Sequence, residues 1–220
     1  MGQHGDKARH ALMDAAEELF ARYGIDAVSN RRITEHAGTA NHSAVAYHFG
    51  SRDELILALL DRHLAATELR RTEQLSAMGG DPGLHELVAV RILPVVETMA
   101  ALPVPSWRAR FLRQARSVPS VMSVLASRAN APGDFDALVR YLPLAAGEDS
   151  RRLMQARFGL ISFLVSGVCA EYEARLDGDV SEGSWIDVGY FLVDSVMGLL
   201  TAPATHPSSY LPRSALPDLI

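Results

Sequence analysis

Residues 29–55 read SNRRITEHAGTANHSAVAYHFGSRDEL, and the pattern of this stretch decides the fold we expect for the chain. Ser29 is a favourable N-cap, because its hydroxyl can accept a backbone N–H from the first turn of a helix predicted over 30–37. Gly38 ends that helix, since glycine tolerates the positive φ that a tight turn requires. A second short helix is predicted over 41–47, after the turn.

The two short helices have the side chains that a helix-turn-helix needs. Ile33 and Ala37 give the first helix a small apolar inner face, and Ala44 and Val45 give the second an apolar stripe for docking. The opposite face of the second helix is then free to enter the major groove of DNA. Two helices joined by a tight turn that contains glycine are the layout of this motif.

Patterns on both sides of the motif complete a small N-terminal unit. Apolar residues recur at i, i+3 and i+4 over 7–23, which predicts an amphipathic helix that ends at Gly24. Ser51 and Glu54 have the spacing of a capping box, which begins a long helix. We therefore predict a three-helix DNA-binding head over residues 1–50.

The rest of the chain also has helical periodicity, so the expected fold class is all-α. The clearest break is the segment 78–83, which contains three glycines and a proline. Helices are predicted beyond it over about 84–101, 106–116, 119–129, 134–143, 149–176 and 182–201. These helices form a larger body over 51–202, and the repeated prolines of 203–220 predict a mobile tail.

The overall charge does not favour nucleic-acid binding. The net charge is −5, whereas a basic domain is the usual mark of a protein that binds nucleic acid. A basic surface must therefore come from local clustering, for which Arg31, Arg32 and Arg52 are the candidates.

The single cysteine, Cys169, excludes an intramolecular disulfide and a cysteine-based metal cluster, and it suits a reducing cytoplasm. The longest apolar run, 158–170, is shorter than the roughly 20 residues that cross a bilayer, so it predicts a buried helix and no membrane partner. The first ten residues do not resemble a secretory signal.

The six histidines within residues 1–63 form no i, i+4 pair on one helix, so neither a metal nor a cofactor is expected.

Three ordered segments of the chain resemble the TetR family of transcriptional regulators. They are AAEELFARYG at 15–24, ITEHAG at 33–38 and YHFGSRDEL at 47–55. The resemblance implies a DNA-binding homodimer, most often a repressor that a small-molecule effector releases from a palindromic operator. It also implies that the head reads DNA while the body binds the effector and the second subunit.

The resemblance further implies which residues face DNA. The set is Ser29, Arg31, Arg32, Asn41, His42, Ser43, Tyr47, His48 and Arg52. Asn41, His42 and Ser43 would lie at the exposed start of the recognition helix, where Asn and His can read base edges. Tyr47 and His48 would bond phosphate oxygens. Arg52 would pair with a phosphate at the N-terminus of the long helix, an end that attracts anions.

The same resemblance implies an effector pocket and a dimer interface in the C-terminal helices. Aromatic residues with a few polar groups are what small-molecule pockets use, and the candidate lining is Trp107, Phe111, Gln114, Met122, Tyr141, Phe158, Ser162, Phe163 and Ser166. Small residues among apolar ones suit packing against a second subunit. The candidate interface is Leu160, Leu164, Val188, Phe191, Leu192, Ser195, Val196 and Leu199.

Plainer interpretations apply to several of these residues. Ser29 and Ser51 are helix caps first, Arg31 and Arg32 can form a solvated face, and each single pocket residue can be ordinary core. The chain has no Gly-rich phosphate loop, no Gly-x-Ser-x-Gly elbow and no His-Glu-x-x-His helix, so an enzyme is not expected. The alternative function is a protein-interaction module that keeps the TetR fold without DNA binding, which the absence of a net positive charge leaves open.

Overall fold

The computed structural model describes residues 3–122, 148–178 and 182–205, and the regular elements within these ranges are helices without strands. The helices are α1 (Gln3–Tyr23), α2 (Asn30–His36), α3 (Ala44–Phe49), α4 (Arg52–Ala77), α5 (Leu84–Ala100), α6 (Arg108–Ala115), α7 (Glu148–Asp177) and α8 (Trp185–Thr201). The expected all-α class is confirmed. Most of the helix expected at 119–129, the helix expected at 134–143 and nearly all of the proline-containing tail lie outside the described residues.

The predicted caps delimit the N-terminal helices. The Ser29 hydroxyl accepts the backbone N–H of Arg32 at 3.2 Å, which satisfies one of the free donors at the start of α2. The Ser51 hydroxyl accepts the N–H of Glu54 at 3.1 Å at the start of α4. Gly38 has a φ of +70°, the left-handed conformation that the turn after α2 requires.

The chain divides into two compact units. The first contains α1, α2, α3, the part of α4 up to Ala66, α6 and the end of α7 from Ala170. Residue 50, where we expected the head to end, lies inside this unit. The physical reason is that Leu55 and Leu59 of α4 and Phe111 of α6 are fully buried, so the core extends beyond the three N-terminal helices.

The core of the first unit is apolar and aromatic. Phe20 of α1 stacks on Phe111 of α6 with ring centroids 6.2 Å apart, and both rings are fully buried. Ile33 of α2, and Ala44 and Val45 of α3, are also buried, so apolar side chains anchor both short helices in this core. Such burial stabilises the fold by about 1.5–3 kcal/mol per large side chain.

The second unit contains α4 from Thr67, α5, α7 up to Cys169, and α8. α8 packs along α5, and Gly189 allows the close approach: a Cβ atom there would lie 2.7 Å from Cγ2 of Val96 and 3.0 Å from Cδ2 of Leu93. Arg157 of α7 donates to the carbonyl of Leu200 at 2.6 Å, which joins α7 to the end of α8. Gly189 therefore serves packing within the subunit.

α7 is a long helix with an apolar central segment. Its segment Arg152–Asp177 is long and apolar enough to cross a membrane by length and composition alone, and 44% of the most apolar window is buried. Arg157 and Glu173 on this segment are buried and hydrogen-bonded to neighbouring elements. These contacts are those of a core helix in a folded protein.

Candidate DNA-binding surface

The short helix α3 lies at the centre of the candidate surface. Ala44 and Val45 are buried and anchor the helix, while Tyr47 is 80% exposed. Ala46 is also exposed, whereas His48 and Phe49 at the end of the helix are partly buried. An exposed tyrosine hydroxyl on such a helix can donate to a phosphate oxygen or a base edge.

Residues 41–43 form a turn before α3, which begins at Ala44 and not at residue 41 as predicted. The side chain of Asn41 accepts the backbone N–H of Ser43 at 2.9 Å, and Thr39 accepts the N–H of Asn41 at 3.3 Å. These local bonds replace the backbone bonds of a first helical turn. Asn41, His42 and Ser43 are nevertheless all exposed, so they stay available at the N-terminal end of α3.

His48 has surroundings different from those of Tyr47. It is half-buried, and its ring meets the Tyr47 ring edge-on with centroids 4.9 Å apart. With Arg9, Phe49, Glu54 and others it lines an open cavity of about 440 Å³ in the first unit. Its Nδ1 is shielded from solvent and has no hydrogen-bond partner among the described residues. A phosphate contact by His48 would therefore use Nε2.

The cations at the start of α2 are exposed but already have neighbours. Nε of Arg31 lies 2.8 Å from a carboxylate oxygen of Glu35 one turn later. The guanidinium of Arg32 lies 3.9 Å from the centre of the Tyr23 ring. Solvent screens an exposed ion pair of this kind and makes it weak, so a DNA phosphate can replace Glu35 as the partner of Arg31.

Arg52 does not extend into solvent as a phosphate ligand would. It is half-buried, and its guanidinium donates to the carbonyl of Ile25 and, at 3.2 Å, to Oδ1 of Asn30. The group also lies 4.9 Å from the centre of the Phe20 ring. Burial lowers the pKa of Arg52, but an arginine stays charged at neutral pH. The side chain of Arg52, which we predicted to contact a phosphate, is therefore bound to other residues of the first unit.

A buried charge cluster in the first unit was missed by the sequence analysis. Nε2 of His63 lies 2.9 Å from Oε1 of Glu17, and both residues are buried. Arg62 pairs with Glu17 and, at 2.6 Å, with Asp14. One signal was present in the sequence, because His63 continues the buried stripe of Leu59 and Leu60 on α4 at helical spacing.

A second buried carboxylate caps α6. Glu173 is only 1% exposed and accepts the backbone N–H groups of Ala109 and Arg110 at 3.0 and 2.9 Å. The Ser106 hydroxyl donates to it at 2.9 Å, and Nε of Arg110 lies 3.2 Å away. A carboxylate at a helix N-terminus satisfies free N–H groups and opposes the positive end of the helix dipole.

The residues predicted to line an effector pocket divide between the two units. Trp107, Phe111 and Gln114 belong to the first unit, where Phe111 is part of the core against Phe20 and His63. The others that are described belong to the second unit: Met122, Phe158, Ser162, Phe163 and Ser166. Ser162 is fully buried, whereas Phe163 is mostly exposed and so does not line an interior pocket of the subunit. Tyr141 lies outside the described residues.

The residues predicted to form the dimer interface differ in their exposure to solvent. Leu160 and Phe191 are exposed, and Leu164, Val188, Ser195 and Leu199 are partly exposed. Leu192 and Val196 are buried inside the subunit, since they lie on the buried face of α8 with Gly189. These two residues are therefore not available to a partner. Phe163, Ile186 and Tyr190 are exposed apolar residues on α7 and α8 that the interface prediction did not include.

The N-terminal region is similar to known proteins. Residues 12–59 match the model of the bacterial regulatory proteins of the tetR family. The chain is similar to the HTH-type transcriptional repressor AcnR of Corynebacterium efficiens, with 28% identity over 96 residues, and to AcnR of Corynebacterium glutamicum, with 29%. Each alignment covers 40% of this chain and 50% of the relative.

Solved structures align over most of the chain. A putative TetR-family transcriptional regulator from a Rhodococcus species covers 89% of it, with 16% identity and a TM-score of 0.49. The multidrug binding protein EbrR, in complex with imidazole, covers 93% with 19% identity and a TM-score of 0.46. The matched residues 12–59 include the two helices of the helix-turn-helix, α2 and α3. Over these residues, the chain is similar to the bacterial regulatory proteins of the tetR family.

Proposed function

We propose that the chain is a homodimeric, cytoplasmic transcriptional repressor that binds a palindromic DNA operator and is released by a small-molecule effector. The observation that carries the proposal is the geometry of α3. Two buried residues hold the helix, while Tyr47 is four-fifths exposed and the three residues before the helix are exposed. A recognition helix needs this division between an anchored face and a free face.

Phosphate binding would come from groups around α3. Arg31 and Arg32 at the start of α2 are exposed, and their present partners, Glu35 and Tyr23, lie on the surface. The N-terminus of α4 adds the positive end of a helix of 26 residues. These contacts position a protein on DNA, whereas residues 41–43 and Tyr47 are candidates for reading bases.

The second unit supports dimerisation. Leu160 and Phe163 on α7, and Tyr190 and Phe191 on α8, are each more than half exposed. Large exposed apolar side chains on two helices are the kind of surface that a second subunit covers. A two-fold dimer would also present two heads to half-sites separated by about 34–36 Å or a multiple of that distance.

The effector site is proposed within the second unit. Phe158, Ser162 and Ser166 follow one another at intervals of one turn on α7, and all three are buried or partly buried. A ring followed by two hydroxyls on one helix face suits an apolar ligand with a few hydrogen-bonding groups. The ligand can shift DNA binding only through different affinities for the two conformations of the protein.

The test is a fluorescence-anisotropy titration with palindromic DNA from the gene's own upstream region, at two salt concentrations. A dimer that contacts several phosphates should lose affinity steeply as salt rises. If that region does not bind, selection from randomised DNA follows. Failure of both would refute DNA binding and leave the protein-interaction module as the function.

A further inference from the structure

The geometry points to Arg52 as a positioning residue of the DNA-binding surface and not as a phosphate ligand. The inference rests on the proposed DNA-binding function. It concerns how the chain fixes the two ends of the segment that contains α2 and α3.

The contacts of Arg52 all lie within the first unit. One nitrogen donates to the carbonyl of Ile25, in the turn after α1, and another to Oδ1 of Asn30 at 3.2 Å. The guanidinium plane lies over the fully buried ring of Phe20, 4.9 Å from its centre. Two hydrogen bonds and an aromatic contact together hold the group in one place.

The positions of the two bonded residues give this contact its role. Asn30 is the first residue of α2, and Arg52 is the first residue of α4. The bond between their side chains therefore closes the segment 30–52, which contains the turn and α3. Because Ala44 and Val45 are the only two residues of α3 that are fully buried, the direction of this helix also depends on where the two ends of the segment are held.

The guanidinium has a geometric property that lysine lacks. Its nitrogens diverge from a rigid plane and can serve Ile25 and Asn30 at the same time, whereas a lysine ammonium is a single point charge. An ammonium can still neutralise a phosphate. Arg52→Lys therefore distinguishes a phosphate ligand from a positioning residue. The lysine can still contact a phosphate, but it cannot make both hydrogen bonds, to Ile25 and to Asn30, at once.

The experiment compares Arg52→Lys, Asn30→Ala and the double variant with the unchanged chain. It measures the melting temperature, and the affinity for a duplex selected from randomised DNA at several salt concentrations. Arg31→Gln removes an exposed cation near the proposed DNA surface and shows what the loss of such a charge does to the salt dependence. Arg70→Gln, in the second unit and 3.6 Å from Glu97, is the matched arginine control, for which no change in DNA affinity is expected.

The positioning role predicts that Arg52→Lys lowers the melting temperature by roughly 3–8 °C. DNA affinity should fall about tenfold or more, with the slope of log affinity against log salt unchanged. Asn30→Ala should produce a smaller loss of the same kind, and the double variant should be less destabilised than the sum of the single ones.

Two results would overturn the inference. One is an Arg52→Lys protein with unchanged melting temperature and unchanged DNA affinity. The other comes from a further variant, Arg52→Gln, measured in the same way: an unchanged melting temperature with a salt slope reduced by about 0.9 per subunit, the value for one lost phosphate contact. If the unchanged chain binds no DNA, the proposed function fails, and the melting temperatures and their non-additivity still decide whether Arg52 joins the starts of α2 and α4.

Discussion

Nε2 of His63 lies 2.9 Å from Oε1 of Glu17 in the buried part of the first unit, where α1 meets α4. Burial lowers the pKa of His63 more than its bond to Glu17 raises it. Burial alone would raise the pKa of Glu17, but its hydrogen bond with His63 and the charges of Arg62 and Arg108 lower that pKa overall. The fold therefore favours neutral histidine and ionised glutamate.

We expect the stability of the first unit to fall as the pH decreases. A histidine whose pKa is lower in the folded state binds a proton more readily when unfolded, so stability is lost as the pH falls below the unfolded pKa of about 6.5. Glu17 acts in the same direction below about 4.5. Urea unfolding at pH 7.5, 6.5 and 5.5 should show decreasing midpoints.

His63→Gln is the variant for this effect, because glutamine can donate to Glu17 and does not titrate. It should flatten the pH dependence between 7.5 and 5.5, whereas the exposed His85→Gln should leave it unchanged. An equal pH dependence in the unchanged chain and in His63→Gln would exclude His63 as the source.

Tyr47→Ala should weaken DNA binding without affecting the fold. The side chain is 80% exposed, so its removal costs little packing, whereas a contact to phosphate or base is lost. We expect an affinity loss of about tenfold, corresponding to roughly 1.4 kcal/mol, and an unchanged melting temperature. Tyr47→Phe would show how much of the loss belongs to the hydroxyl. The exposed Leu69→Ala on α4 is the matched control, and equal affinities for Tyr47→Ala and Leu69→Ala would contradict the role of Tyr47.

If the proposed dimer forms through α7 and α8, Phe191→Asp should convert it into monomers. The ring is 60% exposed in the subunit, and a carboxylate buried in an apolar interface would be desolvated without a partner. Sedimentation velocity at micromolar concentration would measure the change, together with the circular dichroism of the variant. The exposed Glu171→Gln on α7 serves as the control. A variant that remains dimeric would place the interface elsewhere.

Glu173→Gln should destabilise the first unit by about 2–4 kcal/mol. The amide NH₂ would replace one of the two oxygens that now accept the backbone N–H groups of Ala109 and Arg110, so one of these buried donors would lose its acceptor. Trp107 lies 4.4 Å from the guanidinium of Arg110, so its fluorescence can report the unfolding in urea. Glu171→Gln, two residues earlier and exposed, should be neutral within about 0.5 kcal/mol. Equal midpoints for the two variants would refute the capping role.

Gly189→Ala should destabilise the second unit by about 1–3 kcal/mol, because the new methyl group would lie 2.7 Å from Cγ2 of Val96. Gly198→Ala on the same helix has open space around its Cβ position and should be neutral or slightly stabilising. Thermal unfolding would compare the two. A stabilising Gly189→Ala would show that α5 and α8 are not held at the observed distance.

The local order of the chain was predictable from the sequence. Ser29, Gly38 and Ser51 specify where α2 and α4 begin and where the turn lies, because caps and positive φ depend on a few neighbouring residues. The buried positions of Ile33, Ala44 and Val45 followed from helical periodicity in the same way. The start of α3 was missed by three residues, since the side-chain bonds of Thr39 and Asn41 compete with the first helical turn.

Contacts between distant residues were decided by the tertiary structure alone. The sequence shows Arg52 as a cation at a helix start, and only the fold brings the Ile25 carbonyl, Asn30 and the Phe20 ring within its reach. Likewise, Glu173 caps a helix that lies more than sixty residues earlier in the chain. Periodicity and capping determine which residues are helical and which face is buried. The partner of a buried charge depends on which elements pack together, and the local sequence does not determine that packing.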